Sequence, residues 1–320
     1  MKLQLQIPLA RQSENLIDYH SNILLLGSCF SDNIGEKLDY FKFKNLQNPF
    51  GVLFQPQAIL TLIDKAVNQY RYSEKDIFFH NEQWHCFDAH SRLSSISKQQ
   101  LLNNLNRAIE LTKLQVKKST HIIVTLGTAW VYQFNKEGVT VANCHKVPQK
   151  QFSKRLLSVE EIAGLLKTMV GLINSLNPKV TIIFTVSPVR HIKDGFVENT
   201  QSKAHLISGV HLFLNRSLAK NAALYYFPSY EIMMDELRDY RFYKEDMVHP
   251  NAMAINYIWE KFKNVWLLPD ALKTMNEVDS IQKGLQHKPF NPNSTAHLQF
   301  LQKLKTKKEQ LQMQFSHIVF

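Results

Sequence analysis

Two short stretches of this 320-residue chain place reactive side chains at spacings that chemistry can use. In Leu24-Leu25-Leu26-Gly27-Ser28-Cys29-Phe30-Ser31, a serine and a cysteine directly follow an apolar run. In Asp246-Met247-Val248-His249, a carboxylate stands three residues before an imidazole. On one turn of chain that carboxylate can accept from the ring Nδ1–H, fixing the tautomer and leaving Nε2 to take a proton. Serine is a weak nucleophile without such a base, so Ser28, Asp246 and His249 together would make an acyl-transfer triad in the chain order Ser, Asp, His. Cys29 is the rival nucleophile, set against its reading as a small apolar filler after a buried strand. The plainer reading of Ser28 is a turn serine capping a helix that begins near Ser31, and Ser31 itself also reads as a cap.

The elements that must position these groups follow from the apolar pattern. Runs at 22–27, 120–127, 179–188 and 223–229, with a weaker one at 41–51, alternate with helical patterns at about 31–40, 56–70, 98–117, 158–176 and 202–222. Strand and helix in alternation predict a parallel α/β sheet. Ligands of such a sheet bind beyond the carboxyl ends of its strands. There the chain carries Gly27-Ser28-Cys29-Phe30, Asn48-Pro49-Phe50-Gly51, Gly127-Thr128-Ala129-Trp130 and Ser187-Pro188-Val189-Arg190-His191. Segments 71–97 and 129–157 hold aromatic, His and Cys residues without a clear period, and are expected as insertions that shape a pocket over one end of the sheet. From about 266 the chain turns polar, and the stretch from Ser294 reads as one amphipathic helix with Leu298, Leu301, Leu304 and Leu311 among its apolar positions. The expected division is a domain over 1–266 and a helical extension over 267–320.

Taken together, "GSCFS" at 27–31, "NPFG", "TLGTAWVY", "NCHK", "SPVRH" and "DMVHPN" resemble the GSCFA family, a group similar to the SGNH/GDSL hydrolases, over roughly residues 20–260. The resemblance implies a three-layer α/β/α, flavodoxin-like parallel sheet with inserted loops and a C-terminal helix. It implies an esterase or acyltransferase that forms an acyl-enzyme at Ser28, with His249 as base and Asp246 as its orienting partner. Carbohydrate O-acyl groups are the substrate class suggested by superfamily analogy alone. An oxyanion hole would use the N–H of Ser28 and that of Gly51, which lacks a Cβ and so allows close approach. The superfamily's third donor is an asparagine in Gly-x-Asn, where this chain reads Gly127-Thr128-Ala129. Thr128 or Asn143 would then have to substitute, and the alternative is a non-catalytic ligand-binding protein that keeps a degenerate site. His90, Trp130, His145, Arg190 and His191 are the candidate substrate contacts.

Composition bounds the remaining classes. With 44% apolar residues the chain can bury a full core, and no apolar run reaches membrane-span length. The net charge of +11 lies partly in lysine-rich helical stretches, and no motif for specific nucleic-acid binding accompanies it. Three widely spaced cysteines suggest free thiols and a cytoplasmic protein. His80, His85 and His90 recur every five residues, a spacing that fits one face of neither helix nor strand, so neither a metal nor any other cofactor is expected. The expected partner is a small-molecule or carbohydrate ester, and nothing in the sequence sets an oligomeric state.

Overall fold

A computed structural model describes residues 5–217 and 223–320. The strands are β1 (Asn22–Gly27), β2 (Lys44–Gln47), β3 (Phe78–His80), β4 (Gln83–His85), β5 (His121–Leu126), β6 (Trp130–Phe134), β7 (Val139–Val141), β8 (Phe152–Leu156), β9 (Thr181–Val186) and β10 (Leu224–Phe227). The longer helices are α1 (Cys29–Tyr40), α2 (Pro56–Val67), α3 (Lys98–Lys118), α4 (Val159–Leu176) and α5 (Phe196–Ser217). A short α6 (Ser229–Glu231) runs on as a π turn and is followed by α7 (Ala252–Trp266), α8 (Pro269–Gln286) and α9 (Thr295–Gln314).

Five strands form one parallel sheet in the order β10-β9-β5-β1-β2. Its centre, β5 and β9, is buried at every residue, because helices cover both faces and a strand between them must be apolar on both sides. Alternate residues feed two cores. Leu24, Leu26, Ile122, Val124 and Phe184 pack under helices α2 to α5. Ile23, Leu25, Ile123 and Ile183 pack against α1, α7, α8 and α9. This is the expected three-layer α/β/α architecture.

Counted along the chain, the five strands lie in the order 2-1-3-4-5, so the winding direction reverses between β1 and β5 and leaves a crevice at their carboxyl ends. Gly27 pairs with Thr125 at that end, so Ser28 follows the last paired residue of β1. The two inserted segments are ordered: β3 and β4 form a hairpin, and β6 to β8 a separate antiparallel sheet. Helix α5 begins six residues before the expected 202, and residues 218–222 of that expectation lie outside the described residues.

Two sequence expectations need correction. Helix α1 is capped by Ser28, whose side chain accepts from the Phe30 N–H, and not by Ser31. Ser31 lies inside the helix with its hydroxyl donating to Leu26 O at 3.2 Å and to Thr125 Oγ1 at 2.8 Å. In α9, Leu304 and Leu311 are buried, but Leu298 and Leu301 are exposed. Leu304 packs beside Gly284 near the end of α8, so only the later turns of α9 rest on the core.

Candidate active site

Ser28 is held from three directions. Gly27 before it has φ +131°, and a Cβ there would fall 2.0 Å from the Thr125 carbonyl oxygen, so only glycine brings β1 this close to β5. The Ser28 N–H donates to that same Thr125 oxygen at 3.0 Å. Its Oγ accepts from Phe30 N–H at 3.2 Å, placing the hydroxyl at the positive end of α1, and the residue is 1% exposed. Cys29 next to it is partly exposed, but burial and then the nearby Asp32 carboxylate push its thiol pKa up, which disfavours the reactive thiolate.

Asp246 and His249 form the pair that their spacing predicts. His249 Nδ1 lies 2.7 Å from Asp246 Oδ2, while Asp246 Oδ1 accepts the N–H groups of His249 and Val248, each at 2.9 Å. These donors, that of His249 first, hold the carboxyl down to about 2, so it stays ionised at neutral pH. Met247 between them takes φ +54° to close the turn. Backbone bonds from Lys244 N to His249 O (2.8 Å) and from Arg190 N to Val248 O (3.1 Å) fix this loop beside the end of β9. Among the described residues, no hydrogen bond joins Ser28 Oγ to His249.

Of the expected oxyanion donors, Gly51 and Thr128 follow strands of the main sheet and have internal partners, while Asn143 follows β7 of the inserted sheet. Gly51, at φ +73°, donates its N–H to Asn48 O at 2.7 Å. Thr128 Oγ1 lies 3.0 Å from Ser202 Oγ and accepts from Trp130 N–H at 3.1 Å. Asn143 Oδ1 accepts from His145 N–H at 2.8 Å, and the residue lines a pocket of about 360 Å³ beside Thr128. An oxyanion would have to share or replace Asn48 O at Gly51 and Ser202 Oγ at Thr128, whereas the bond of Asn143 uses its oxygen and leaves its side-chain N–H groups as donors.

The same pocket collects three of the five candidate substrate contacts, Trp130, His145 and His191. Trp130 donates Nε1–H to Glu198 O at 3.2 Å and carries the Lys154 ammonium over its ring at 4.1 Å. The other two lie elsewhere. His90 packs against Gly51, where an added Cβ would meet the His90 Cβ at 2.4 Å, and its Nδ1 accepts from Arg92 N–H. Arg190 stacks between Tyr243 (4.3 Å) and Tyr240 (5.2 Å) on a separate cleft of about 200 Å³. The histidines at 80, 85 and 90 do not converge: His85 is bound through Nδ1 to Ser94 and through Nε2 to the His80 carbonyl.

Sequence reasoning missed two residues that build the site. Asn48, buried at the end of β2, accepts from Gly27 N–H (2.9 Å), donates to Asp32 (2.6 Å), and offers its carbonyl to Gly51 and Arg92. Its motif "NPFG" was legible, but the role of the first residue needed the fold. Lys203 on α5 is 1% exposed and donates to the carbonyls of Gly127 and Ser187, both at 2.7 Å, tying β5 to β9 beneath the crevice. Burial pulls its pKa down to about 7. The available signal was its helical spacing with Asn199, Leu206 and Val210, all buried on the same helix.

Burial also depresses two pocket histidines, His145 to about 4 and His191 to about 3. Their unfolded forms bind protons from about pH 6.5 downward while the folded forms stay neutral. The associated stability is therefore full above pH 6.5 and falls as pH drops toward 4 and then 3. Urea unfolding should show a loss on the order of 3 kcal/mol from each histidine between pH 7 and pH 4, reduced when both residues are replaced by asparagine.

Among the described residues no helix is long and apolar enough to cross a membrane. A search of curated proteins finds no match. In overall trace the chain is similar to a family 3 carbohydrate esterase of Clostridium thermocellum, at 10% identity and TM-score 0.36, covering 82% of this chain and 98% of that one. It is similar to an acetyl esterase S10A mutant solved with acetate, at 9% identity and TM-score 0.37, covering 82% and 99%. A family 3 carbohydrate esterase from Talaromyces cellulolyticus gives 9% identity and TM-score 0.35, covering 81% and 99%. The GSCFA family profile matches residues 22–262, and that of the GSCFA domain protein C-terminal domain matches 278–320. With its motifs at the strand ends and most of its length matched, the chain belongs to the GSCFA family.

Proposed function

We infer that the protein is a serine ester hydrolase or O-acyltransferase, with Ser28 as nucleophile, His249 as base and Asp246 as the group that orients it. The observation that carries this reading is the 2.7 Å Asp246–His249 pair, beside the sheet end at which Ser28 heads α1. In the proposed step, His249 Nε2 takes the Ser28 proton as Oγ bonds to the acyl carbon; the leaving alkoxide departs with that proton. Water or a second hydroxyl, deprotonated by His249 in turn, then releases the acyl group and restores Ser28. Substrate binding must bring Oγ off the Phe30 N–H and onto His249, a tightening common between free and substrate-bound sites. The N–H groups of Ser28 and Gly51, with Thr128 or Asn143 in place of the asparagine, are the proposed oxyanion donors. Carbohydrate O-acyl groups are the first substrates to test, and the three free cysteines fit a cytoplasmic setting. Residues 267–320 are proposed as a helical extension of the domain.

A second reading is favoured by one observation: Ser28 N–H, Gly51 N–H and the Thr128 hydroxyl all have internal partners. That state suits a pocket that binds without turnover. A fluorophosphonate probe separates the two. Acyl transfer predicts covalent labelling at Ser28 that vanishes in Ser28→Ala; a folded wild-type protein that takes no label supports the binding reading.

A further inference from the structure

The floor of the 360 Å³ pocket contains a side chain whose bonds are missing. Gln55 occupies the N-cap of α2, directly before Pro56, a position where Ser, Thr, Asp or Asn ordinarily satisfies the first helical N–H groups. Its side chain makes no cap bond. The residue is 2% exposed, and neither its Oε1 nor its Nε2 has a partner among the described residues. Leaving a buried polar group unpaired costs roughly 1–3 kcal/mol, a burden that folded proteins retain mainly where function uses it.

Two neighbours share this state. His145 and His191 line the same pocket, with Nδ1 of the first and Nε2 of the second buried and unpartnered. His145 Nε2 lies 2.7 Å from the Cys86 carbonyl and must carry the ring proton, so its Nδ1 is a bare acceptor. The depressed pKa values described above keep both rings uncharged at neutral pH. Gln55, His145 and His191 thus offer one donor fork and at least two acceptors without a formal charge; Asp194, also in the lining, is paired with Lys154 at 2.6 Å, and Lys146 and Lys193 stand at the exposed rim. An anion would meet the Gln55 and His145 acceptors unfavourably. A group with donor and acceptor side by side would pair with both ends of the Gln55 amide, between the aromatic walls of Trp130 and Tyr132.

We propose that this pocket recognises an uncharged group presenting a hydrogen-bond donor and acceptor side by side, a vicinal diol or a primary carboxamide, and that Gln55 is the residue that reads it. The lining includes Thr128 and His191 but none of Ser28, Asp246 and His249, so the place of this group in a reaction rests on the acyl-transfer reading, while binding itself does not require Ser28.

The test uses ligand-detected NMR with a methyl glycoside, nicotinamide and inorganic phosphate, on wild-type protein, Ser28→Ala and Gln55→Leu. Wild-type and Ser28→Ala should bind one of the two neutral probes alike, and which one binds identifies the source of the group. Gln55→Leu should weaken that binding by about tenfold or more. The same variant, free of ligand, should melt at a higher temperature, because a buried amide without partners has been replaced by an apolar side chain of similar size. Binding of phosphate in preference to both neutral probes, binding undiminished in Gln55→Leu, or a lower melting temperature for that variant would each overturn the proposal. A protein that binds the neutral probe yet takes no fluorophosphonate would end the acyl-transfer reading alone.

Discussion

Alanine in place of His249 should lower the rate of p-nitrophenyl ester hydrolysis by about 1000-fold or more while leaving the fold intact. The ring is partly exposed and its own bonds run to Asp246 and the surrounding loop, so its loss opens no cavity in either core. The whole effect would then fall on proton transfer. Ser28 sits at the head of α1 with no imidazole bonded to it among the described residues, so no base other than the proposed His249 stands ready. Asp246→Asn should be comparably severe, about 10,000-fold, because an amide N–H turned toward Nδ1 would hold the ring in the wrong tautomer, with its proton on Nε2. Steady-state rates with a short-chain ester, checked by circular dichroism for folding, measure both. Hydrolysis that continues unchanged in His249→Ala would sink the triad.

Gly27→Ala should be among the most destabilising single changes available in the central sheet, at about 4 kcal/mol. The residue adopts φ +131°, where a side chain is strained in any surroundings, and the added Cβ would meet the Thr125 oxygen, carbon and nitrogen at 2.0, 2.8 and 2.9 Å. All three atoms are backbone in a buried strand, so no rotamer change relieves the overlap. β1 and β5 would have to part at the end that holds Ser28, and the Ser28 N–H to Thr125 bond would go with it. Gly138→Ala supplies the comparison: φ is +68°, but the nearest atom would be 3.7 Å away, so backbone strain of about 1 kcal/mol is all that applies. Urea unfolding of the two variants should rank them in that order by a wide margin; equal losses would show that the close approach at Gly27 is not what the sheet depends on.

The sheet was legible because central parallel strands are buried on both faces and read as unbroken apolar runs. His121–Leu126 and Thr181–Val186 fall within the runs read at 120–127 and 179–188. The Asp246–His249 contact was legible because three residues of spacing nearly determine it. The start of α1 was not: Ser28 and Ser31 are equally good caps in sequence, and what separates them is the Ser31 bond to Thr125, ninety-four residues away. Helix α8 was overlooked because its polar outer face dilutes the apolar stripe of Ala271, Met275, Val278 and Ile281. Arg190 and His191 are neighbours in sequence, yet adjacent residues leaving a strand end face different ways, and Tyr240 and Tyr243 hold the guanidinium. Gln55 could not have been found from its residue type, because its signal is the absence of a bond.

The sheet of β6 to β8 leaves the main fold after Ala129 and returns at Leu157, where Leu157 N–H donates to the Ala129 carbonyl at 2.9 Å. Excursion and return thus meet where the segment starts and ends, and the chain they enclose contributes Trp130, Tyr132, Asn143 and His145 to the walls of the pocket. Gln55, His191, Ser28, Asp246 and His249 all lie outside it. The walls of the pocket are therefore written on a different length of chain from its Gln55 floor and from the candidate nucleophile. A transplant of residues 130–156 between relatives should change which ligand shapes fit between the walls while leaving the preference set by Gln55 and the nucleophile of the recipient where they were.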